Sequence, residues 1–385
     1  MRAAIHGICW LLACLLVVVA SGCSHSQAKT ISSWNPEAAA AYLDQREDWW
    51  MGWQGAARDR GTFCVSCHTA LPYAFSRPAL DHVLHKEAPA AGERRLVDDV
   101  IARVRQWKQI GPYYDNRGKG GSEAVRSRGT EAVLNALILA NDDAGQGRIS
   151  EDTRAAFENM WALQMTSGDE KGAWSWLQFG MEPWEARDSQ YYGAALAALA
   201  VGTAPENYRA SPEIQDNLKL LDDYLNREYP TQSLSNRMVL LWASTKLPGL
   251  LEAARRASLM DEIVSEQRRD GGWSMASLGQ TWRGAGLRAY VRTWIRSDGT
   301  LADRNSDGLA TGLAVFVLQQ AGMPRDTPQL QRGLSWLLEN QNATQGFWQA
   351  TSPNLKRDPS SNIGRFMNDA ATSFAVLALA DAGQR

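Results

Sequence analysis

Cys64, Val65, Ser66, Cys67 and His68 form a Cys-x-x-Cys-His run. Two thiols at this spacing can add to the two vinyl groups of haem while the adjacent imidazole ligates its iron. The expectation is a covalently held haem c, with Cys64 and Cys67 as attachment points and His68 as an axial ligand. Two alternatives stay open from the residues alone. Zinc or another metal could be held by the same side chains, or Cys64 and Cys67 could form a disulfide with His68 uninvolved.

A second constellation runs from Met181 to Tyr192 and carries Glu182, Glu185, Arg187 and Asp188 just before an apolar segment. Carboxylates in a half-buried mouth could serve as general acid and base, and Arg187 could hold haem propionates. The plainer reading makes Asp188 a helix cap and pairs Glu185 with Arg187 on the surface. Residues 274–306 form a long connection bearing Trp282, Arg283, Arg288, Arg292, Trp294 and Arg296. Such an insertion reads as a lid or binding wall, or as a solvated face.

The N-terminus reads as an export leader. Arg2 opens a short basic region, an apolar stretch runs from about Ile8 to Ala20, and Ala20-Ser21-Gly22-Cys23 follows. Small residues before a cysteine here resemble a bacterial lipobox, which implies cleavage before Cys23 and lipidation of it. The apolar run is too short for a membrane span of roughly 20 residues. Residues 1–22 are thus expected to be a signal peptide and 23–35 a tether. The implied location is the bacterial periplasm, on the outer rather than the inner membrane, because Ser24 and not Asp follows the cysteine. Cys9 and Cys14 would leave with the leader, so a multi-disulfide framework is excluded.

Forty Lys and Arg stand against 42 Asp and Glu, without a basic block, so nothing marks a nucleic-acid partner. With 44% hydrophobic residues the chain can bury a large core. Sixteen tryptophans recur after helix-like segments, which points to a structural repeat.

Punctuation exposes that repeat. Asn35-Pro36, Ser211-Pro212 and Thr327-Pro328 each set an N-cap residue before a proline. Gly202, Gly322 and Gly383 each follow an alanine-rich run, where a C-cap is expected. Between these marks, amphipathic segments alternate with segments apolar on all sides, and the latter must be enclosed by neighbours. Outer helices are expected near 36–48, 95–108, 151–164, 212–228, 249–268 and 328–341. Inner ones are expected near 67–80, 122–140, 188–201, 233–245, 307–321 and 368–382. The fold class is all-α, an α6/α6 toroid over residues 36–385, since closing the ring buries every inner helix.

Arg332 to Gln341 followed by Gly346-Phe347-Trp348 matches the QW-type repeat, with weaker copies at Gln267/Gly271-Gly272-Trp273 and Gln164/Gly172-Ala173-Trp174. Through it the chain resembles the terpenoid cyclase and protein prenyltransferase toroids, including squalene-hopene cyclases. The resemblance implies that these residues brace the ring and that chemistry sits at the starts of inner helices. The Asp-x-Asp-Asp acid of such cyclases is missing, and the prenyltransferase zinc set has no counterpart.

A closed ring sets inner helix six beside inner helix one, which makes Met367 a candidate second iron ligand, ahead of Met51 and Met181. His82 and His85 lie roughly 20 to 25 Å along the first inner helix from His68, too far to reach the same iron. Glu123, Arg126, Arg128 and Glu131 on inner helix two must face the cavity or pair with one another. Two classes of function follow. One is an exported haem protein in electron transfer or redox chemistry, with a periplasmic redox partner or a small-molecule ligand in the toroid. The other is a non-haem toroid enzyme, cyclase- or isomerase-like or a lyase, or a metal-binding module.

Overall fold

The computed structural model describes residues 33–114, 122–279 and 294–383. The expected signal peptide and Cys23 lie outside these residues, as do Trp282, Arg283, Arg288 and Arg292. Twelve helices longer than three turns, paired as six hairpins, are formed among them. The outer helices are α1 (Pro36–Gly52), α3 (Ala91–Arg105), α5 (Glu151–Ala162), α7 (Gln215–Glu228), α9 (Ala253–Ser265) and α11 (Pro328–Asn340). The inner helices are α2 (Ala70–Val83), α4 (Ser122–Gln146), α6 (Ser189–Thr203), α8 (Leu234–Lys246), α10 (Gly308–Gln320) and α12 (Phe366–Asp381). Each inner helix packs on the next, and α12 returns to α2, which closes an α/α toroid.

Close approach of the inner helices follows from their small residues. A Cβ on Gly312 of α10 would stand 2.6 Å from the backbone N of Ala375 in α12. At mid-height the ring is plugged by rings from four inner helices: Trp242 meets Phe75 and Phe316 edge-on, both at 5.2 Å, and Phe374 at 6.4 Å. Burial of such faces at roughly 25 cal/mol per Å² supplies most of the stabilisation.

The tryptophans and glutamines of the repeat fasten hairpin to hairpin. Trp174, Trp273 and Trp348 donate their indole N–H to the carbonyls of Met160, Ile263 and Leu337, near the ends of α5, α9 and α11. Gln164, Gln267 and Gln341 reach the backbone of Asn217, Gln329 and Asn35, next to or within the first turn of the following outer helix. Gln341 closes the circle: its Oε1 accepts from the Asn35 N–H at 2.7 Å and its Nε2 donates to the Asn35 carbonyl at 3.0 Å. Gly346 sits at φ +82° with its Cβ position 2.0 Å from the Ala38 carbonyl oxygen, so no side chain fits.

The punctuation is only partly realised. Asn35 caps α1 by accepting from the Ala38 N–H, while Ser211 and Thr327 make no side-chain cap, and Pro212–Ile214 is a 3₁₀ turn before α7. Gly322 and Gly383 follow their helices at positive φ, as C-caps should. Gly202 instead lies inside α6, where a Cβ would stand 2.5 Å from the carbonyl carbon of Lys246. It is a packing glycine.

Removing the circle-closing brace with Gln341→Leu is expected to cost about 2 kcal/mol, because the Asn35 N–H loses its acceptor while the Asn35 carbonyl keeps only the Ala39 N–H. Urea denaturation measures it, against the exposed Gln345→Leu as a control that should stay within about 0.5 kcal/mol. Equal midpoints for the two variants would contradict the brace.

Candidate functional site

The inner helices begin on a common rim, and there the loops before α2, α6 and α12 enclose a cavity of about 230 Å³. The Cys-x-x-Cys-His run lies in the loop and turn that lead into α2, so the helix starts three residues later than the pattern suggested. Ser66 explains the difference: its hydroxyl accepts from the N–H groups of Thr69 and Ala70, and so caps the turn from within the motif. The preceding strand-like segment is pinned on both sides. Cys64 N–H donates to the Ala56 carbonyl at 2.9 Å, and the Cys64 carbonyl accepts from the Trp50 indole at 2.8 Å.

Cys67 and His68 line the cavity, while Cys64 is buried and does not. Both thiols are free, and burial pushes Cys64 up to about 11 and Cys67 well above its ordinary value. Both therefore stand as neutral thiols. Among the described residues no three His, Cys, Asp or Glu side chains converge on a common metal position, which leaves the zinc alternative without a ligand set there.

His68 is walled by rings. Phe366 stacks on it at 3.8 Å, Trp50 meets it edge-on at 4.9 Å, and Trp184 stands at 6.2 Å. Burial, helped by the charges of Arg46 and Arg357, pushes His68 down to about 3, so at neutral pH the imidazole is uncharged and has a lone pair to give. Its Nδ1 lies 2.7 Å from the Thr69 hydroxyl, and that hydroxyl lies 2.8 Å from Oδ2 of Asp369 in the first turn of α12. Asp369 also accepts from Tyr42 Oη at 2.8 Å and from Arg46 Nε at 2.7 Å and NH2 at 3.0 Å. Burial lifts this carboxyl, and those four donors oppose the lift.

Met367 lines the same cavity as His68, as the closed ring requires, but so does Met181, which the sequence ranked lower. Met51 does not. Glu182 and Glu185 also line it, held on a tight turn in which Met181 and Glu185 exchange backbone hydrogen bonds. Asn354 clamps that turn by accepting from Glu182 N–H at 3.0 Å and donating to its carbonyl at 2.7 Å. Burial pushes the Glu185 carboxyl up to about 7.

Asp188 and Arg187 stand elsewhere. Asp188 accepts from the Asn236 side chain at 3.1 Å at the start of α8, makes no side-chain cap to α6, and does not line the cavity. Arg187 is exposed and forms no ion pair with Glu185 among the described residues, so neither the cavity role nor the surface pairing is realised. Among the described residues the cation that lines the cavity is Arg357, which no local pattern in the sequence marks. Of the α4 charges, Glu131 is fully buried and accepts from Arg103 of α3 at 2.6 Å and from Arg128 at 3.2 Å, whereas Glu123 and Arg126 neither line the cavity nor form an ion pair among the described residues. Arg296, from the expected lid, donates to the Ser352 carbonyl behind the cavity wall. His82 and His85 are exposed at the far end of α2, as the helix length demands.

No family model matches the chain, and no curated protein does. Solved structures do. A wild-type glycosidase and two of its single-residue variants each align at 14% identity with TM-scores of 0.50, over 91% of this chain and 98% of theirs. At that identity the likeness is one of fold, the α/α toroid.

Glu185 yields a pH dependence whose sign is fixed. Its folded value near 7 exceeds the roughly 4.3 of a free glutamate, so the folded state binds more protons between those limits. The contribution to stability is full below about 4.3 and is lost as pH rises to about 7. Glu185→Gln is expected to flatten this fall, measured by urea denaturation at pH 5 and 8. An unchanged difference between the two pH values would contradict it.

Proposed function

We propose that the chain is an exported, lipid-anchored bacterial protein that carries a covalent haem c at the rim of its toroid and uses it in redox or electron-transfer chemistry. The observation that carries this reading is the joint placement of Cys67, His68 and two thioethers around one cavity walled by aromatic rings. His68 is uncharged there and its Nε2 has no protein partner among the described residues, which suits an iron ligand. Cys64 and Cys67 would hold the vinyl-derived carbons and His68 the iron, with the thioether of Met367 or Met181 as a candidate further ligand. Arg357 is in no ion pair among the described residues and suits a propionate, in place of Arg187.

Haem bound there would supply one-electron chemistry at iron. The chain's own groups do the rest. Trp50, Trp184 and Phe366 exclude water from the imidazole. Glu185 can take up or release a proton near neutral pH at its carboxylate, beside whatever occupies the cavity. The cavity is smaller than the roughly 300–1,000 Å³ of pockets that enclose drug-sized ligands, so it would enclose a macrocycle only in part. A periplasmic redox partner would be the source or acceptor of those electrons. Export and lipidation rest on residues 1–23 alone and are tested by release of a Cys23→Ala variant from membranes.

A second reading, a non-haem toroid enzyme, has its own observation: a carboxyl held near 7 in a cavity lined by Trp50, Trp53 and Trp184. The solved structures of similar fold include glycosidases, and a sugar face on indole with Glu182 and Glu185 beside it is the corresponding chemistry.

One experiment separates them. Full-length protein made in cells with c-type maturation machinery is denatured and stained for haem. Covalent haem is expected in the unmodified chain and none in Cys64→Ala/Cys67→Ala. His68→Ala is expected to keep covalent haem with a changed visible spectrum. An unstained unmodified chain would overturn the haem reading. Glycoside turnover lost on Glu185→Gln would then establish the second.

A further inference from the structure

We propose that Asp369, acting through Thr69, is the positioning group of His68: an Asp369–Thr69–His68 relay fixes the proton on Nδ1 and sets the donor strength of Nε2. The direction of every bond in the relay follows from counting hydrogens. The Asp369 carboxylate, gripped by both Nε and NH2 of Arg46, has only acceptor sites to offer. Thr69 Oγ1, 2.8 Å away, must therefore donate its one hydrogen to Oδ2. With that hydrogen spent, the same oxygen can only accept from His68 Nδ1 at 2.7 Å. The neutral imidazole thus carries its proton on Nδ1, and its lone pair lies on Nε2.

Three separate elements are needed for this. Arg46 and Tyr42 come from α1, Thr69 from the turn entering α2, and Asp369 from the first turn of α12. Asp369 is 1% exposed and Thr69 3%, so solvent does not screen the relay. A carboxylate pulling on the far proton of a ligating imidazole makes the near nitrogen a stronger donor. The stronger donor favours the more highly charged metal, which lowers its reduction potential. Arg46 offsets part of the negative charge and holds its position. Thr69, Asp369 and Arg46 would thereby bias the site away from the high potential that a thioether ligand favours.

The electronic consequence rests on the haem reading, and the tautomer does not, so the two are tested separately. In haem-loaded full-length protein, Thr69→Val is expected to raise the midpoint potential by at least a tenfold shift in the reduction equilibrium, about 59 mV for one electron. Thr69→Ser, which keeps the hydroxyl, is expected to restore the unmodified value. A Thr69→Val protein that binds haem and folds with an unchanged potential would overturn the relay. Should that variant fail to fold, nitrogen-15 NMR of the Cys64→Ala/Cys67→Ala chain decides: the Nδ1–H tautomer of His68 is required, and the Nε2–H tautomer contradicts it. A chain with no haem but the Nδ1–H tautomer would sink the haem reading and leave the relay standing.

Discussion

Asp369 is an enclosed carboxylate in a mostly apolar helix, and the last hairpin docks against the first with Arg46, Tyr42 and Thr69 meeting it through four donors. A buried pair of this kind contributes little net stability compared with a hydrophobic substitute, but leaving one partner alone costs about 3–5 kcal/mol. It acts as a registration device: α12, α1 and the turn before α2 must all be in place for the charge to be tolerated. Gln341 performs the neutral version of the same task on the outer layer, tying residues 306 positions apart. Both contacts close the ring, and the cavity lies beside the first of them.

The ring was legible because its cause is periodic. Residues 191–201 are apolar on nearly every side, as are 309–318, and a helix of that kind has no stable place except between neighbours. QW-type residues told which hairpins would be tied, since a tryptophan and a glutamine each have one polar edge to satisfy. Helix ends were less legible. Ser66 caps the turn before α2 from inside a motif that reads as haem chemistry, and Gly202 packs closely where a cap is expected, because close packing and positive φ both select glycine.

The site was legible where one short segment carries it, and hidden where it is assembled from distant loops. Cys67 and His68 announce themselves, and Met367 follows from ring closure. Arg357 gave no local signal, because its loop has no periodicity and its role exists only once residues 352–367 fold over the mouth. Asp369 did carry a signal: a lone acid in the first turn of an apolar helix needs a partner, and the nearest basic residues in sequence are Arg365 and Arg357 rather than Arg46. Asp188 misled for the converse reason. It is close in sequence to Glu182 and Glu185, yet the chain turns at Ser189 into α6 and directs it toward Asn236.

Set at the rim of a toroid, the motif would differ in kind from that of a small electron carrier. Trp242 packs against Phe75 and Phe316 between the inner helices, and the cavity beside the motif lies at the rim. The measurement that tests this account most directly is a crystal structure of protein purified from its own host, with anomalous diffraction at the iron edge. The account predicts one iron peak at bonding distance from His68 Nε2, with continuous density from Cys64 and Cys67. A cavity without iron, holding another ligand against Glu185 and the tryptophans, would contradict it.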